Sequence, residues 1–155
     1  MPHWVYDTIY ERIIEFSDHC YIERSRTLLQ RRLRAGSFLK ELLEQMKLIE
    51  SHKKFKSVRI YSASDLPVAD VLSALGAFNN KAPPFGSTVM FEFYTNIFYR
   101  KNFVRLYYLN DTYSERPHML TIKNCIDDEI CSFRKVRLQI EKYIPMDTRF
   151  ECGLK

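Results

Sequence analysis

A short polar run, Ser62-Ala63-Ser64-Asp65, follows the β-rich stretch Val58–Tyr61 and precedes a helical pattern. In open α/β sheets, ligands bind where strands end, because the next helix presents the positive end of its dipole there. The Asp65 carboxyl at this place is a candidate for acid–base chemistry. Ser64 and Asp65 are also favoured N-cap residues, so helix capping is the purely structural interpretation.

The second group of reactive side chains is the set of four cysteines: Cys20, Cys125, Cys131 and Cys152. Zinc ligands usually come as two closely spaced pairs, and no second Cys/His pair accompanies Cys125 and Cys131. Calcium is an alternative because Asp127, Asp128 and Glu129 lie between them, but the spacing and the glycine of an EF-hand are absent. A small loop closed by a disulfide fits better, and it would require an oxidising compartment.

The sequon Asn110-Asp111-Thr112 points to the same compartment, because N-glycosylation occurs on secreted proteins. Residues 1–7 have neither the basic nor the apolar region of a secretory signal. We therefore expect the chain either to be cytosolic or to lack its natural beginning. No stretch approaches the ~18 apolar residues of a membrane span, so we expect no transmembrane helix in this chain.

The composition is that of one globular domain, and we expect residues 1–155 to form a single unit. The net charge is +5, and a basic cluster at residues 30–34 lies between two helical segments. Because Glu23, Glu41 and Glu44 lie close to it, a solvated helix face is favoured and we expect no nucleic-acid binding. No phosphate-binding glycine loop, dinucleotide fingerprint or metal motif is present, and we expect neither a cofactor nor a metal.

The first third of the chain is predicted to be helical. Thr8 and Glu11 have the spacing of a capping box, and apolar residues then recur at helical spacing at Ile9, Ile13 and Phe16. A second helix is expected near residues Glu23–Arg34. Gly36 should end it, and Ser37 should cap a third helix, Phe38–Ile49.

The remainder alternates strands and helices, which is typical of an α/β fold. The strand Val58–Tyr61 leads into a helix with Pro67 in its first turn, and this helix turns Val68, Val71, Leu72 and Leu75 inward. Alternation predicts a hairpin of Val89–Tyr94 with Phe103–Leu109 around a turn at Thr95–Asn102. A third strand, His118–Ile122, and a closing helix, Phe133–Tyr143, follow.

Taken in order along the chain, several motifs resemble those in the C-terminal half of the histidine acid phosphatase family, in its prostatic and lysosomal branch. The run that ends at Asp65 is similar to the family's strand followed by S-A-H-D. The motifs are Pro2-x-Trp4, Arg32-Leu33-Arg34-Ala35-Gly36, Ile60-Tyr61-Ser62-Ala63-Ser64-Asp65, Pro83-Pro84-Phe85-Gly86-Ser87, Leu106-Tyr107-Tyr108 with Asn110, and Cys125, Cys131 and Glu151-Cys152.

The resemblance implies an α/β fold, namely the C-terminal half of the phosphoglycerate-mutase-like histidine phosphatase sandwich with an added β-hairpin. It also implies two-step hydrolysis of phosphomonoesters at acid pH in the secretory pathway, either lysosomal or extracellular. In the family, the histidine of an R-H-G-x-R-x-P motif attacks phosphorus. The arginines and the H-D histidine bind the phosphate, and the H-D aspartate protonates the leaving group. Asp65 stands at that proton-donor position.

The sequence departs from the family pattern at two places. The R-H-G-x-R-x-P motif is absent, and Ser64 replaces the phosphate-binding histidine. A serine hydroxyl donates a neutral hydrogen bond, which is roughly half as strong as the charge-assisted bond of an imidazolium. We therefore expect no turnover from this chain, and a phosphomonoester partner only for an intact relative.

The resemblance also implies pairings for the cysteines. It makes Cys125–Cys131 a local disulfide, whereas Cys152 resembles a cysteine whose partner lies in the other half of family members. In this chain Cys152 would be left with Cys20 or with no partner.

Three hypotheses follow for the biological role. The chain is a fragment of a secreted or lysosomal acid phosphatase, or a genuine short non-catalytic relative (a pseudophosphatase) that binds or regulates, or an α/β domain with an unrelated partner. A fragment would expose a strand edge and apolar surface. We therefore expect poor solubility unless a homodimer covers them.

Overall fold

The computed structural model describes residues 6–53, 57–125 and 130–153. Pro2, Trp4, Asp127, Asp128 and Glu129 lie outside them. Within the described residues no helix is long and apolar enough to cross a bilayer. In chain order, the elements are α1 (Asp7–Arg24), α2 (Leu28–Glu50), α3 (Asp65–Leu75), β1 (Thr88–Asn96), β2 (Lys101–Leu109), β3 (His118–Leu120), a 3₁₀ turn (Lys123–Cys125), β4 (Cys131–Ser132), α4 (Phe133–Ile140), a second 3₁₀ turn (Glu141–Tyr143) and α5 (Thr148–Glu151).

Helix α1 begins at Asp7, two residues earlier than a capping box with Thr8 as its N-cap requires. Its N-cap is Tyr6, which makes no side-chain cap hydrogen bond, so the capping box assigned to Thr8 is wrong and Thr8 lies inside the first turn. The apolar residues at helical spacing face solvent, with Ile13 55 % and Phe16 71 % exposed. None of the eighteen residues of α1 is buried.

Helix α2 is one continuous helix where two were predicted. The boundary between helices lies before α2 instead, where the N-cap residue Thr27 forms a capping box with Gln30. The Thr27 hydroxyl accepts from the Gln30 amide N–H at 3.2 Å, and the Thr27 amide N–H donates to Gln30 Oε1 at 2.8 Å. These two bonds satisfy backbone donors that the first helical turn leaves free, which fixes the start of α2.

Gly36 lies inside α2, so the prediction that it ends a helix is wrong. The reason is tertiary: a Cβ at this position would lie 2.4 Å from the Tyr143 carbonyl oxygen and 2.6 Å from Pro145 Cδ. The C-terminal segment therefore packs directly on the backbone of α2, and only glycine leaves room for it.

The predicted strand Val58–Tyr61 is also wrong, because this segment is irregular and exposed. No strand of the described residues pairs with it, and β-propensity alone does not satisfy backbone N–H and C=O groups. The segment is held through side chains instead. Arg59 Nη1 and the Tyr61 hydroxyl donate to Glu41 Oε1 on α2, at 2.7 and 2.6 Å.

The predictions of α3, the hairpin and a third strand are confirmed, but the turn predicted at Thr95–Asn102 is shorter, and the third strand ends at Leu120 rather than Ile122. Strands β1 and β2 pair antiparallel over nine residues, from Thr88 opposite Leu109 to Asn96 opposite Lys101, with β3 and β4 both paired to β2. The closing helix is confirmed as α4 followed by the second 3₁₀ turn. The fold is therefore mixed α/β, with helices packed on an antiparallel sheet.

The core lies between α2, α3, α4 and the inner face of β2. Its fully buried side chains are Leu39, Met46, Leu72, Leu75, Val104, Leu106, Ile122, Val136 and Ile140. A disulfide joins Cys125, at the end of the first 3₁₀ turn, to Cys131 at the start of β4. Helix α3 thus has one end fixed in the core and the other exposed, and Asp65 lies at the exposed end.

Candidate functional site

Asp65 is the first residue of α3, and Ser64 occupies the N-cap position. Asp65 Oδ1 accepts a hydrogen bond from the Leu66 amide at 2.9 Å, whereas Ser64 makes no side-chain cap bond. The capping interpretation therefore applies in part to Asp65 and not to Ser64. Both side chains are exposed, at the positive end of the α3 dipole.

Tyr21 on α1 fixes the other oxygen of Asp65, because its hydroxyl donates a short hydrogen bond to Oδ2. The pKa of Tyr21 is raised to about 12, mainly by burial and secondly by this bond to Asp65. Tyr21 therefore remains protonated at neutral and acid pH and serves as a donor. Each carboxyl oxygen of Asp65 accepts one bond and keeps a second lone pair for a proton or a ligand.

A second polar contact between α1 and α3 lies beside this pair. Arg24 donates to Asp70 Oδ2 from Nε at 3.2 Å and from Nη2 at 3.1 Å. Asp70 is 2 % exposed, and burial raises the pKa of its carboxyl while Arg24 opposes that rise. A third contact joins the Ser25 and Ser73 hydroxyls at 2.8 Å. Polar bonds, rather than apolar burial, hold α1 on α3.

Sequence reasoning missed Tyr21, Arg24 and Asp70. The one available signal was Asp70 itself, a carboxylate in the middle of the apolar pattern of α3. A charged residue at a buried helical position needs a partner. Arg24 lies 46 residues away in the chain, so the sequence alone does not identify it.

The basic cluster of α2 binds the protein's own C-terminal segment. Arg32 Nη2 donates to Glu151 Oε1 at 2.7 Å and Nη1 to the Lys142 carbonyl at 3.1 Å, and this bond from Arg32 lowers the pKa of Glu151. Arg31 Nε donates to the Ser25 carbonyl at 2.6 Å. These two arginines position secondary-structure elements.

The remaining predicted residues take no part in these contacts. Asn110 is exposed directly after β2. Cys20 on α1 and Cys152 after α5 are both exposed with free thiols. Among the described residues, no group of three or more His, Cys, Asp and Glu side chains has the arrangement of a metal site.

Residues 9–109 match the family model of the histidine phosphatase superfamily (branch 2). This match covers well over half of the sequence, and the chain belongs to that family. The resemblance inferred from the motifs is confirmed.

Curated relatives place the chain near the acid phosphatases of the family. Prostatic acid phosphatase of Mus musculus is 34 % identical over 121 residues, which cover 78 % of this chain and 30 % of the relative. Lysosomal acid phosphatase of Rattus norvegicus is 31 % identical over 124 residues, 79 % of this chain and 28 % of the relative. Prostatic acid phosphatase of Rattus norvegicus is 29 % identical over 155 residues, 98 % of this chain and 39 % of the relative. The chain thus spans well under half the length of these relatives.

Proposed function

We propose that this chain is an acid-phosphatase-like member of the family in which Asp65 occupies the proton-donor position. We further propose that its 155 residues, acting as a single unit, do not hydrolyse phosphomonoesters by themselves. The observation that carries the proposal is the Ser64-Asp65 pair at the start of α3, where Tyr21 and the Leu66 amide orient the carboxyl. A carboxyl that two hydrogen bonds hold in one orientation suits proton transfer to a leaving group, because that transfer requires a defined geometry.

The lack of turnover follows from the missing nucleophile. The sequence contains no R-H-G motif, and the described histidines have other surroundings. His19 on α1 faces Glu23 at 3.8 Å, His118 stacks edge-on against Tyr108, and His52 follows α2. Among the described residues, the hydrogen-bond partners of Asp65 are Tyr21 and the Leu66 amide, and neither is a nucleophile activated by a base.

Ser64 favours a second candidate function, that of a non-catalytic binding or regulatory relative. The family resemblance places a phosphate-binding histidine at this position, and a serine there retains a donor without a charge. A binding protein tolerates that loss better than an enzyme does, because catalysis requires charge stabilisation in the transition state.

The names of the relatives support a location in the secretory pathway. The Cys125–Cys131 disulfide and the exposed Asn110 sequon agree with this location. A second copy packed on the exposed apolar residues of α1 would reduce aggregation, so we expect a homodimer, which sedimentation equilibrium would detect.

Hydrolysis of para-nitrophenyl phosphate at pH 5 tests the proposal on the whole chain. We expect background rates from the chain and from the Ser64→His variant, with a prostatic acid phosphatase as the positive control. Turnover that disappears in Asp65→Asn would show that the chain does contain a nucleophile, and would overturn the proposed inactivity.

Phosphate binding tests the assigned position independently of turnover. At pH 5 a histidine at position 64 is protonated and adds a charge-assisted bond, so Ser64→His should bind inorganic phosphate about fivefold to tenfold more tightly. Ser62→His is the matched control and should not. Equal effects of the two variants would show that position 64 has no special relation to phosphate.

A further inference from the structure

A cleft of about 550 Å³ lies at the end of α3 opposite Asp65. Ser73 and Gly76 belong to the last turn and C-cap of α3, and we call this the α3 C-terminal cleft. Eleven residues of helix separate the two ends, which is about 16 Å. The volume of the α3 C-terminal cleft is in the range of cavities that hold small molecules. Its lining also includes Arg26, Arg31, Lys123 and Gln139.

Among the described residues, the charges that line the α3 C-terminal cleft are all positive. They belong to Arg26, Arg31 and Lys123, and no described acidic residue lines the cleft. Arg26 is neutralised by Glu23 at 3.1 Å. Arg31 bonds only neutral groups, the Ser25 carbonyl and the Tyr143 hydroxyl, and Lys123 has no partner among the described residues. Within the described part of the chain, two cations without counter-charges therefore face one cleft.

The negative end of the α3 dipole offsets this positive charge only in part, because three of the last four carbonyls of the helix are already bonded. The Leu72 carbonyl accepts from the Ala77 amide at 2.9 Å, and the Ser73 carbonyl accepts from Gly76 at 3.2 Å. The Ala74 carbonyl accepts from Gln139 Nε2 at 2.8 Å.

Gln139 supplies an independent indication of a ligand. Gln139 is one of the lining residues and is 1 % exposed, and its side-chain amide is oriented by the bond to the Ala74 carbonyl. The other amide atom, Oε1, is buried and has no hydrogen-bond donor among the described residues. A buried acceptor without a donor is costly, and a hydroxyl on a bound molecule would satisfy it.

We propose that the α3 C-terminal cleft binds a small organic anion that carries hydroxyl groups, such as a phosphorylated or carboxylated polyol. Arg31 and Lys123 bind its anionic group, and the polar wall around Gln139 and Thr121 binds its hydroxyl groups. Arg31 uses Nε and Nη1 for its bonds within the protein, which leaves Nη2 to donate to an oxygen of phosphate or carboxylate. This site is distinct from the Asp65 position and does not depend on phosphatase activity.

The test uses the whole chain and glycerol 3-phosphate as the probe, followed by amide shifts in nitrogen–proton NMR spectra. Saturable shifts should appear at Ser73, Gly76 and Thr121, and glycerol 3-phosphate should bind more tightly than inorganic phosphate. Shifts confined to Ser64 and Asp65 would place the ligand at the proposed phosphatase position and overturn the inference. Equal affinity for the two anions would refute the role of the hydroxyl groups.

Lys123→Met removes the charge but keeps the aliphatic stem, which packs where the Cβ of a residue at Gly76 would lie. We expect this variant to bind glycerol 3-phosphate about tenfold more weakly, since a charged hydrogen bond is lost. Lys40→Met, at an exposed position of α2 outside the cleft, is the matched control and should bind as the parent chain does. Unchanged affinity of Lys123→Met would exclude the site.

Discussion

Replacing Gly36 with alanine should destabilise the fold, although alanine is the better helix former. The added methyl group would lie 2.4 Å from the Tyr143 carbonyl oxygen and 2.6 Å from Pro145 Cδ. An ordinary contact begins near 3.4 Å, so the C-terminal segment would have to move by about 1 Å. Arg32 opposes that movement, because it also holds the Lys142 carbonyl.

The size of the effect is the difference of two opposing contributions. Alanine in a helix interior is favoured over glycine by about 1 kcal/mol. Overpacking by one methyl group costs about 1–3 kcal/mol, and a clash with backbone belongs near the upper limit. We therefore expect the free energy of unfolding of Gly36→Ala to fall by about 1–2 kcal/mol.

Urea unfolding followed by circular dichroism at 222 nm measures this difference. Ser37→Ala is the control, because Ser37 is the exposed neighbour in the same helix and should gain a few tenths of a kcal/mol from propensity alone. If Gly36→Ala is as stable as the parent chain or more stable, α2 does not pack against the C-terminal segment as described, and the reasoning is refuted.

Two further predictions concern polar and covalent contacts. Burial raises the pKa of Asp70, so the folded chain binds a proton there more readily than the unfolded chain, and this contribution to stability falls as pH rises from about 4. In urea unfolding, the free energy of unfolding of Asp70→Asn should therefore fall less between pH 4 and pH 7 than that of the parent chain. An equal fall would contradict the inference that burial raises the pKa of Asp70. Replacing Cys125 and Cys131 by serine should lower the free energy of unfolding by about 2 kcal/mol, because the bridge closes a short loop. Dithiothreitol should shift the urea midpoint of the parent chain but not that of the double variant, and a shift in both would argue against this bridge as the cause.

The parts of the fold that the sequence predicts correctly are those whose local pattern and tertiary environment agree. Strands β1 and β2 alternate apolar and polar residues, and α3 combines apolar periodicity with Pro67 in its first turn. The continuity of α2 through Gly36 was not predictable, because the contact that requires glycine there comes from Tyr143 and Pro145. Local breaker rules describe a glycine's freedom, but not the close approach of a distant segment.

The failure at Val58–Tyr61 has a related cause. Its β-branched and aromatic residues favour a strand, but a strand exists only when a neighbour satisfies its backbone groups, and the described residues provide none. At the candidate site, the position of Asp65 at the start of a helix was predictable from the turn and the periodicity. Its partner Tyr21 was not, because 44 residues separate them and no local pattern links the two.

The absence of buried side chains in α1 has a consequence for motion. An element with no fully buried residue has little free energy opposing its local unfolding, so α1 should open and close while the core of α2, α3 and β2 stays folded. Each opening breaks the bonds of Tyr21 to Asp65 and of Arg24 to Asp70 together, because both donors lie on α1. The orientation of the Asp65 carboxyl is therefore coupled to the docking of α1. A molecule that covers the outer face of that helix would order the start of α3 without contacting it.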